Sequence, residues 1–107
     1  MSTTFAARPD RATGTLYLVG ELDVDDVESF NLALRHMSRL GGPTLTIDLS
    51  QLTYIGSAGL GCLIRANQTF THVRLTGIRP AQLRLLETTK LVDQFETVTD
   101  ASHQLTD

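Results

Sequence analysis

The chain has 107 residues, of which 41% are hydrophobic and 20% are charged, so we expect one folded domain over residues 1–107 and exclude two catalytic domains. Its formal net charge of -3 provides no basic surface for nucleic acid or for an anionic membrane. No apolar run approaches the ~18 residues that cross a bilayer, so we do not expect a membrane-spanning protein.

The first half of the chain predicts two strands, a helix and a third strand. Residues 5–8 and 15–20 are short apolar runs separated by a turn. Apolar residues recur every three to four positions over residues 24–40, which predicts a helix that ends at the glycine pair 41–42. Residues 44–49 alternate between apolar and polar, as expected for a half-buried strand.

Acidic residues concentrate where the first helix is predicted to begin. Five of the twelve acids are Glu21, Asp23, Asp25, Asp26 and Glu28. Acids favour helix N-termini, so a solvated helix start explains the cluster, with Asp25 and Glu28 spaced as a capping pair. We expect one end of the molecule to be locally acidic.

The second half predicts a helix over residues 57–70, a strand over 73–76 and a helix that begins at Pro80. Residues 95–98 predict a short strand, and a last helix is predicted from Asp100, with Leu105 as its apolar anchor. Alternating strands and helices predict an α/β sandwich. A mixed sheet is expected because the turn between the first two strands is too short for a crossover.

Three glycines lie in residues 54–61, at the entrance to the second predicted helix, with Ser57 among them. Glycine lowers helix stability, so these positions indicate a sharp turn or a close approach. The simplest interpretation is that Ser57 is an N-cap. A nucleophile elbow needs G-x-S-x-G, and Ile55 replaces its first glycine. The segment also lacks the order of a P-loop or a dinucleotide site, so neither esterase chemistry nor nucleotide binding is favoured.

The single cysteine, Cys62, cannot form an internal disulfide, and no charged leader followed by an apolar stretch opens the sequence. We therefore expect a cytoplasmic protein. A redox sensor needs an exposed thiolate of lowered pKa, whereas a lone cysteine is more often a small buried hydrophobe, which is what we expect here.

Four segments occur in an order and spacing that resemble the STAS domain of bacterial anti-sigma factor antagonists. They are GELD at 20–23, LTIDLS at 45–50, YIGSAGLG at 54–61 and LVDQF at 91–95. The resemblance runs over nearly the whole chain, and the first and third segments are its most specific parts. It implies a STAS-like α/β sandwich: a mixed sheet of four or five strands with helices packed on one side.

The resemblance also implies a function without catalysis, cofactor or metal. In its unmodified form such a protein binds an anti-sigma factor with a serine kinase fold, which frees a sigma factor for transcription. The kinase, which uses ATP, phosphorylates the residue that matches Ser57 and so releases the partner, and a phosphatase would restore the first state. The residues implied to shape the docking surface around Ser57 are Asp23, Gly56, Ala58, Gly59 and Leu60.

Two positions differ from the family motif. Gly56 replaces an aspartate, and Ala58 replaces a second hydroxyl residue. We therefore expect slow phosphorylation of Ser57. Gly56→Asp should raise the rate if the added carboxylate orients Ser57 or contacts the kinase, but it would clash if Gly56 has a positive φ. The alternative function is that of a STAS subunit of a membrane lipid transporter, which binds an ATPase component, or of another STAS scaffold that is not phosphorylated. Neither needs a phosphoserine.

Overall fold

The computed structural model describes residues 4–98 and contains, within that range, five strands and three α-helices. In chain order they are β1 (Ala6–Asp10), β2 (Thr15–Leu22), α1 (Val27–Arg39), β3 (Thr44–Ile55), α2 (Ser57–Thr69), β4 (His72–Thr76), α3 (Pro80–Thr88) and β5 (Glu96–Val98). Short 3-10 helices, Val24–Asp26 and Val92–Gln94, precede α1 and β5. The helix predicted from Asp100 lies outside the described residues.

The strands form one sheet in the order β1-β2-β3-β4-β5. The β1–β2 pair is antiparallel and the other three pairs are parallel, which confirms the predicted mixed sheet. Each parallel pair is joined through a helix, and such crossovers are almost always right-handed. Because the strand order advances in one direction, right-handed crossovers put all three helices on the same side of the sheet.

The core lies between the sheet and these helices. Alternate residues of the central strands, such as Leu45, Ile47 and Leu49 in β3, are buried. On the other side of the sheet, His72 and Arg74 of β4 are exposed. From the helices the core receives Phe30, Leu34, Met37, Cys62, Leu63, Ala66 and Leu86. The alternating apolar residues of the strands and the regularly spaced apolar residues of the helices therefore face one shared core, as the sequence predicts.

Strand β3 is six residues longer than predicted, ending at Ile55 rather than Leu49. The apolar alternation stops at Ser50 and Gln51, which are exposed, so periodicity could not show the extension. Pairing with β4 ends at Asp48, but pairing with β2 continues.

Beyond the end of β4, the buried side chain of Gln82 supplies hydrogen bonds to β3. Its Nε2 donates to the backbone oxygens of Leu49 (3.3 Å) and Leu52 (2.8 Å) in β3. Its Oε1 accepts from the backbone N–H of Arg79 at 2.8 Å. One glutamine thus satisfies two strand carbonyls and the start of α3, as buried polar groups require.

The predicted capping pair at the first helix is wrong. The side chains that cap the 3-10 helix are those of Asp23, which accepts from the backbone N–H of Val24 (2.9 Å), and Asp26, which accepts from that of Asp23 (3.0 Å). The cap comes two residues earlier than predicted because the chain enters α1 through this 3-10 turn. Asp25 and Glu28 remain exposed.

None of the helices formed by residues 4–98 has the length and apolar character needed to cross a membrane.

Candidate functional site

Two neighbouring parallel strands bring Asp23 and Ser57 to the same edge of the sheet. Leu22, the last residue of β2, is in register with Ile55, the last residue of β3. The Gly56 backbone N–H donates to the oxygen of Leu22 at 3.0 Å, which ties the two strand ends together. The structure therefore juxtaposes two segments that are more than thirty positions apart in the sequence.

Ser57 is the first residue of α2 and is exposed, so the prediction that it is the N-cap is wrong. Gly56 occupies the N-cap position and has no side chain with which to cap. The first helical hydrogen bond runs from the Leu60 N–H to the Gly56 oxygen. The N–H groups of Ser57, Ala58 and Gly59 precede that bond, at the positive end of the helix dipole.

Asp23 fills the space beside Gly56. A Cβ on Gly56 would lie 2.6 Å from Asp23 Oδ1 and 3.3 Å from the Tyr54 hydroxyl. Gly56 has φ −91°, which any residue can adopt, so the positive φ considered from the sequence is absent. What restricts this position is contact with the Asp23 carboxylate, whose Oδ1 also caps Val24.

The other residues predicted at the docking surface differ in accessibility. Ala58 and Leu60 are half-buried, while Gly59 is buried. A Cβ on Gly59 would lie 2.6 Å from Ile55 Cγ1 and 2.9 Å from the Leu22 oxygen. Gly59 therefore lets α2 approach the ends of β2 and β3, and its influence on a surface would be indirect.

Three exposed positions lie near the site, and the sequence predicts the exposure of none of them. Val24 is 68% exposed and Tyr54 is 51% exposed, and they lie near the ends of β2 and β3 respectively. Gly61 is exposed on α2, one turn beyond Ser57, with no heavy atom within 4 Å of a Cβ placed there. Alternation could not have shown the exposure of Tyr54, because it places residue 54 on the same side of the strand as the buried Leu52. Val24 begins the run of regularly spaced apolar residues in 24–40, so the sequence suggested that it belonged to the buried face of the first helix.

Acidic side chains surround this edge of the sheet. Asp23, Asp25 and Glu28 are exposed, whereas Glu21 and Asp26 are half-buried. The predicted local acidity is confirmed, although Asp23 and Asp26 also have the structural role of capping described above. The first turn of α2 contains no acidic residue.

Cys62 is buried on the inner face of α2, and burial raises the pKa of its thiol. A raised pKa leaves little thiolate near neutral pH. The prediction of a buried hydrophobe is therefore confirmed. Across residues 4–98, no three His, Cys, Asp or Glu side chains come together as a metal site would require.

Comparison with known families matches residues 5–99 to the family described as "Mlab, STAS domain". No curated protein matches the sequence.

Solved structures of anti-sigma factor antagonists have a similar fold. One from Mycobacterium paratuberculosis is 23% identical, with a TM-score of 0.77 over 99% of this chain and 97% of that chain. The Bacillus cell fate determinant SpoIIAA in its phosphorylated form is 17% identical, with a TM-score of 0.62 over 94% of this chain and 96% of that chain. SpoIIAA in its unphosphorylated form is 16% identical, with a TM-score of 0.64 over 97% and 96% of the two chains.

Proposed function

The chain belongs to the STAS domain family, and from this premise we propose that it is an anti-sigma factor antagonist that acts by partner switching. In the unmodified state it binds an anti-sigma factor with a serine kinase fold, and a sigma factor is freed. The kinase then transfers the γ-phosphoryl group of ATP to Ser57 Oγ, the serine proton leaves, and the complex dissociates. A phosphatase returns the protein to its first state in the cytoplasm. The chain itself catalyses no step.

The observation that supports this proposal is the position of Ser57, exposed at an uncapped helix N-terminus beside Asp23. A phosphoserine has a charge of about −1.5 to −2 near neutral pH. The N–H groups in the first turn of α2 and the helix dipole would stabilise that charge. We therefore expect the free domain to remain folded after phosphorylation.

The same charge would weaken a complex. At an interface the phosphate would have to lose water, and its repulsion by the Asp23 carboxylate, which water screens in the free domain, would become stronger; both effects oppose binding. The surface proposed to contact the partner consists of Asp23, Ser57, Ala58 and Leu60, and the buried Gly56 and Gly59 would shape it from beneath. Phosphorylation would thus lower affinity while leaving the stability of the domain unchanged.

A STAS subunit of a membrane lipid transporter is the second candidate. It is favoured by Gly56 and Ala58, which replace the aspartate and the second hydroxyl of the phosphorylated motif. In that function the same face would bind an ATPase component, and Ser57 would stay unmodified.

Purification of the tagged protein from its host tests both candidates. Mass spectrometry should identify a kinase-fold anti-sigma factor as the partner and a phosphate on the Ser57 peptide. Recovery of a transporter ATPase with an unmodified Ser57 would contradict the first candidate and support the second.

Calorimetric titration with the purified anti-sigma factor then tests the switch. We expect Ser57→Asp to weaken binding by about tenfold or more, which corresponds to ~1.4 kcal/mol. Ser57→Ala should bind normally and resist release by ATP. Ser29→Asp is the matched control, because Ser29 is exposed in the first turn of α1 and its replacement adds the same charge. Wild-type affinity of Ser57→Asp and no ATP-dependent release of the wild type would refute the switch.

A further inference from the structure

A groove of about 610 Å³ lies between α1 and α2, outside the residues assigned above to the partner surface. Val24, Glu28, Asn31 and Arg35 line it from the α1 side, and Arg65 lines it from α2. Both helices follow parallel strands, so both run away from the edge that holds Asp23 and Ser57. The groove therefore continues from the proposed partner surface along the helices. From Ser57 to Arg65 the rise is about 12 Å, at ~1.5 Å per residue.

The groove is acidic at one end and basic at the other. Glu28 lines the beginning of the groove, and the exposed Asp23 and Asp25 precede it in the chain. Arg35 and Arg65 line the groove further along. The ion pairs among the described residues are those of Glu96 with His72 and Arg74, on the exposed side of the sheet. The charged groups of the groove are thus available to groups of opposite charge on a partner.

Asn31 in the groove, and Gly61 one turn before the groove residue Arg65, do not favour the free domain. Asn31 Oδ1 is buried and accepts no hydrogen bond from the described residues, which is unfavourable for an amide oxygen. Gly61 is exposed within α2, one turn before Arg65, where alanine would fit freely and favour the helix. Residues that lower stability at a partly apolar groove are expected where binding selects them.

We propose that an amphipathic helix of the anti-sigma factor docks in this groove, parallel to α1 and α2. Its basic residues would lie over the end near Asp23 and its acidic residues over Arg35 and Arg65. The orientation also places the positive end of its dipole at the acidic end of the groove. An amphipathic helix suits the site because it presents anchors at i, i+3, i+4 and i+7 on one face, which matches a groove of this length. The proposal rests on the proposed function, since that function supplies the partner.

Charge reversal tests the polarity of the groove. In titrations with the purified anti-sigma factor, Arg65→Glu and Glu28→Lys should each weaken binding by at least fivefold. Arg84→Glu is the matched control, because Arg84 is an exposed arginine on α3, and it should bind within twofold of wild type. Equal effects of Arg65→Glu and Arg84→Glu would overturn the proposal. Circular dichroism checks that each variant is folded.

Asn31→Ala gives a readout that a purely structural role would not produce. It should leave the unfolding midpoint unchanged or raised while weakening binding at least threefold. Unchanged affinity of this variant would overturn the role given to Asn31.

Photo-crosslinking of the full protein in its host identifies the occupant. Benzoylphenylalanine at position 65 should crosslink to a helical segment of the anti-sigma factor, while the same residue at position 84 should not. Crosslinks to the anti-sigma factor from position 58 but not from position 65 would overturn docking in the groove and leave the proposed function intact. Crosslinks to a second copy of this chain, or to an extended segment, would also overturn it. If no crosslink reaches an anti-sigma factor from either position 58 or position 65, the proposed function itself fails.

Discussion

Gly59 and Gly61 lie two positions apart in α2, yet the structure predicts opposite effects for the same substitution. At Gly59, the new methyl carbon of alanine would lie 2.6 Å from Ile55 Cγ1 and 2.9 Å from the backbone oxygen of Leu22. Neither atom is the free end of a flexible side chain, so α2 would have to shift. Overpacking of this kind destabilises by about 1–3 kcal/mol.

Part of that loss is offset by helix propensity, because alanine is favoured over glycine inside a helix by up to ~1 kcal/mol. We therefore expect Gly59→Ala to lower the free energy of unfolding by about 1–2 kcal/mol. At Gly61 nothing lies within 4 Å of the added carbon, so only the propensity remains. Gly61→Ala should raise the free energy of unfolding by roughly 0.5–1 kcal/mol.

Urea unfolding followed by circular dichroism measures both effects. The slope of the unfolding free energy against urea should be the same for all three proteins, so that midpoint shifts report stability. Thermal unfolding should show Gly61→Ala melting about 4 °C higher, given ~4–8 °C per kcal/mol for a domain of this size. A Gly59→Ala protein as stable as wild type would refute the account of close packing beneath α2, and a destabilised Gly61→Ala would refute the account of an open position.

Three further predictions concern the site and the end of β3. Gly56→Ala should destabilise the domain by about 1 kcal/mol, because the Asp23 carboxylate would have to give up its hydrogen bond to the Val24 N–H. In an Asp23→Ala background the same change should be nearly neutral, and a double-mutant cycle measures the difference. Gln82→Leu should destabilise the domain by about 2 kcal/mol in urea unfolding, because two carbonyls of β3 lose their hydrogen-bond donor. Gln68→Leu is the control: Gln68 is exposed on α2, and its replacement should change stability by less than ~0.5 kcal/mol. Cys62 should react slowly with Ellman's reagent at pH 8 in the native protein and rapidly in urea, since burial raises its pKa, and fast native labelling would contradict the buried thiol.

Most elements could be predicted because their signals are local. The helical spacing of Phe30, Leu34 and Met37 and the alternation of Leu45 and Ile47 are visible in a short window, and the structure buries all of them. The turn before β2 likewise predicts an antiparallel first pair. These features need no knowledge of distant residues.

The rest depends on contacts between distant segments. The second half of β3 is held by pairing with β2 and by Gln82, which lies some thirty positions later, so its own sequence did not show it. The cap is at Asp23 rather than at the predicted Asp25, because the chain enters α1 through a 3-10 turn, which periodicity does not distinguish from an α-helix. The groove requires the relative placement of two helices and was not foreseen. The glycines of α2 drew attention in the sequence, but only the structure separates buried Gly59 from open Gly61.

The contact between Gly56 and Asp23 also bears on how strongly the proposed switch could act. An aspartate at position 56 would put a second carboxylate next to Asp23, and its Cβ would already displace the Asp23 oxygen that caps Val24. With glycine there, the cap is kept and Ser57 has one fewer negative neighbour. Repulsion between a phosphate and this edge of the sheet would then come from Asp23 together with the exposed Asp25 and Glu28. Such exposed charges are screened by salt over roughly 10 Å at 0.1 M. Under the proposed function, the loss of affinity on phosphorylation would therefore shrink as ionic strength rises, whereas a release caused by unfolding of α2 would not depend on salt in this way.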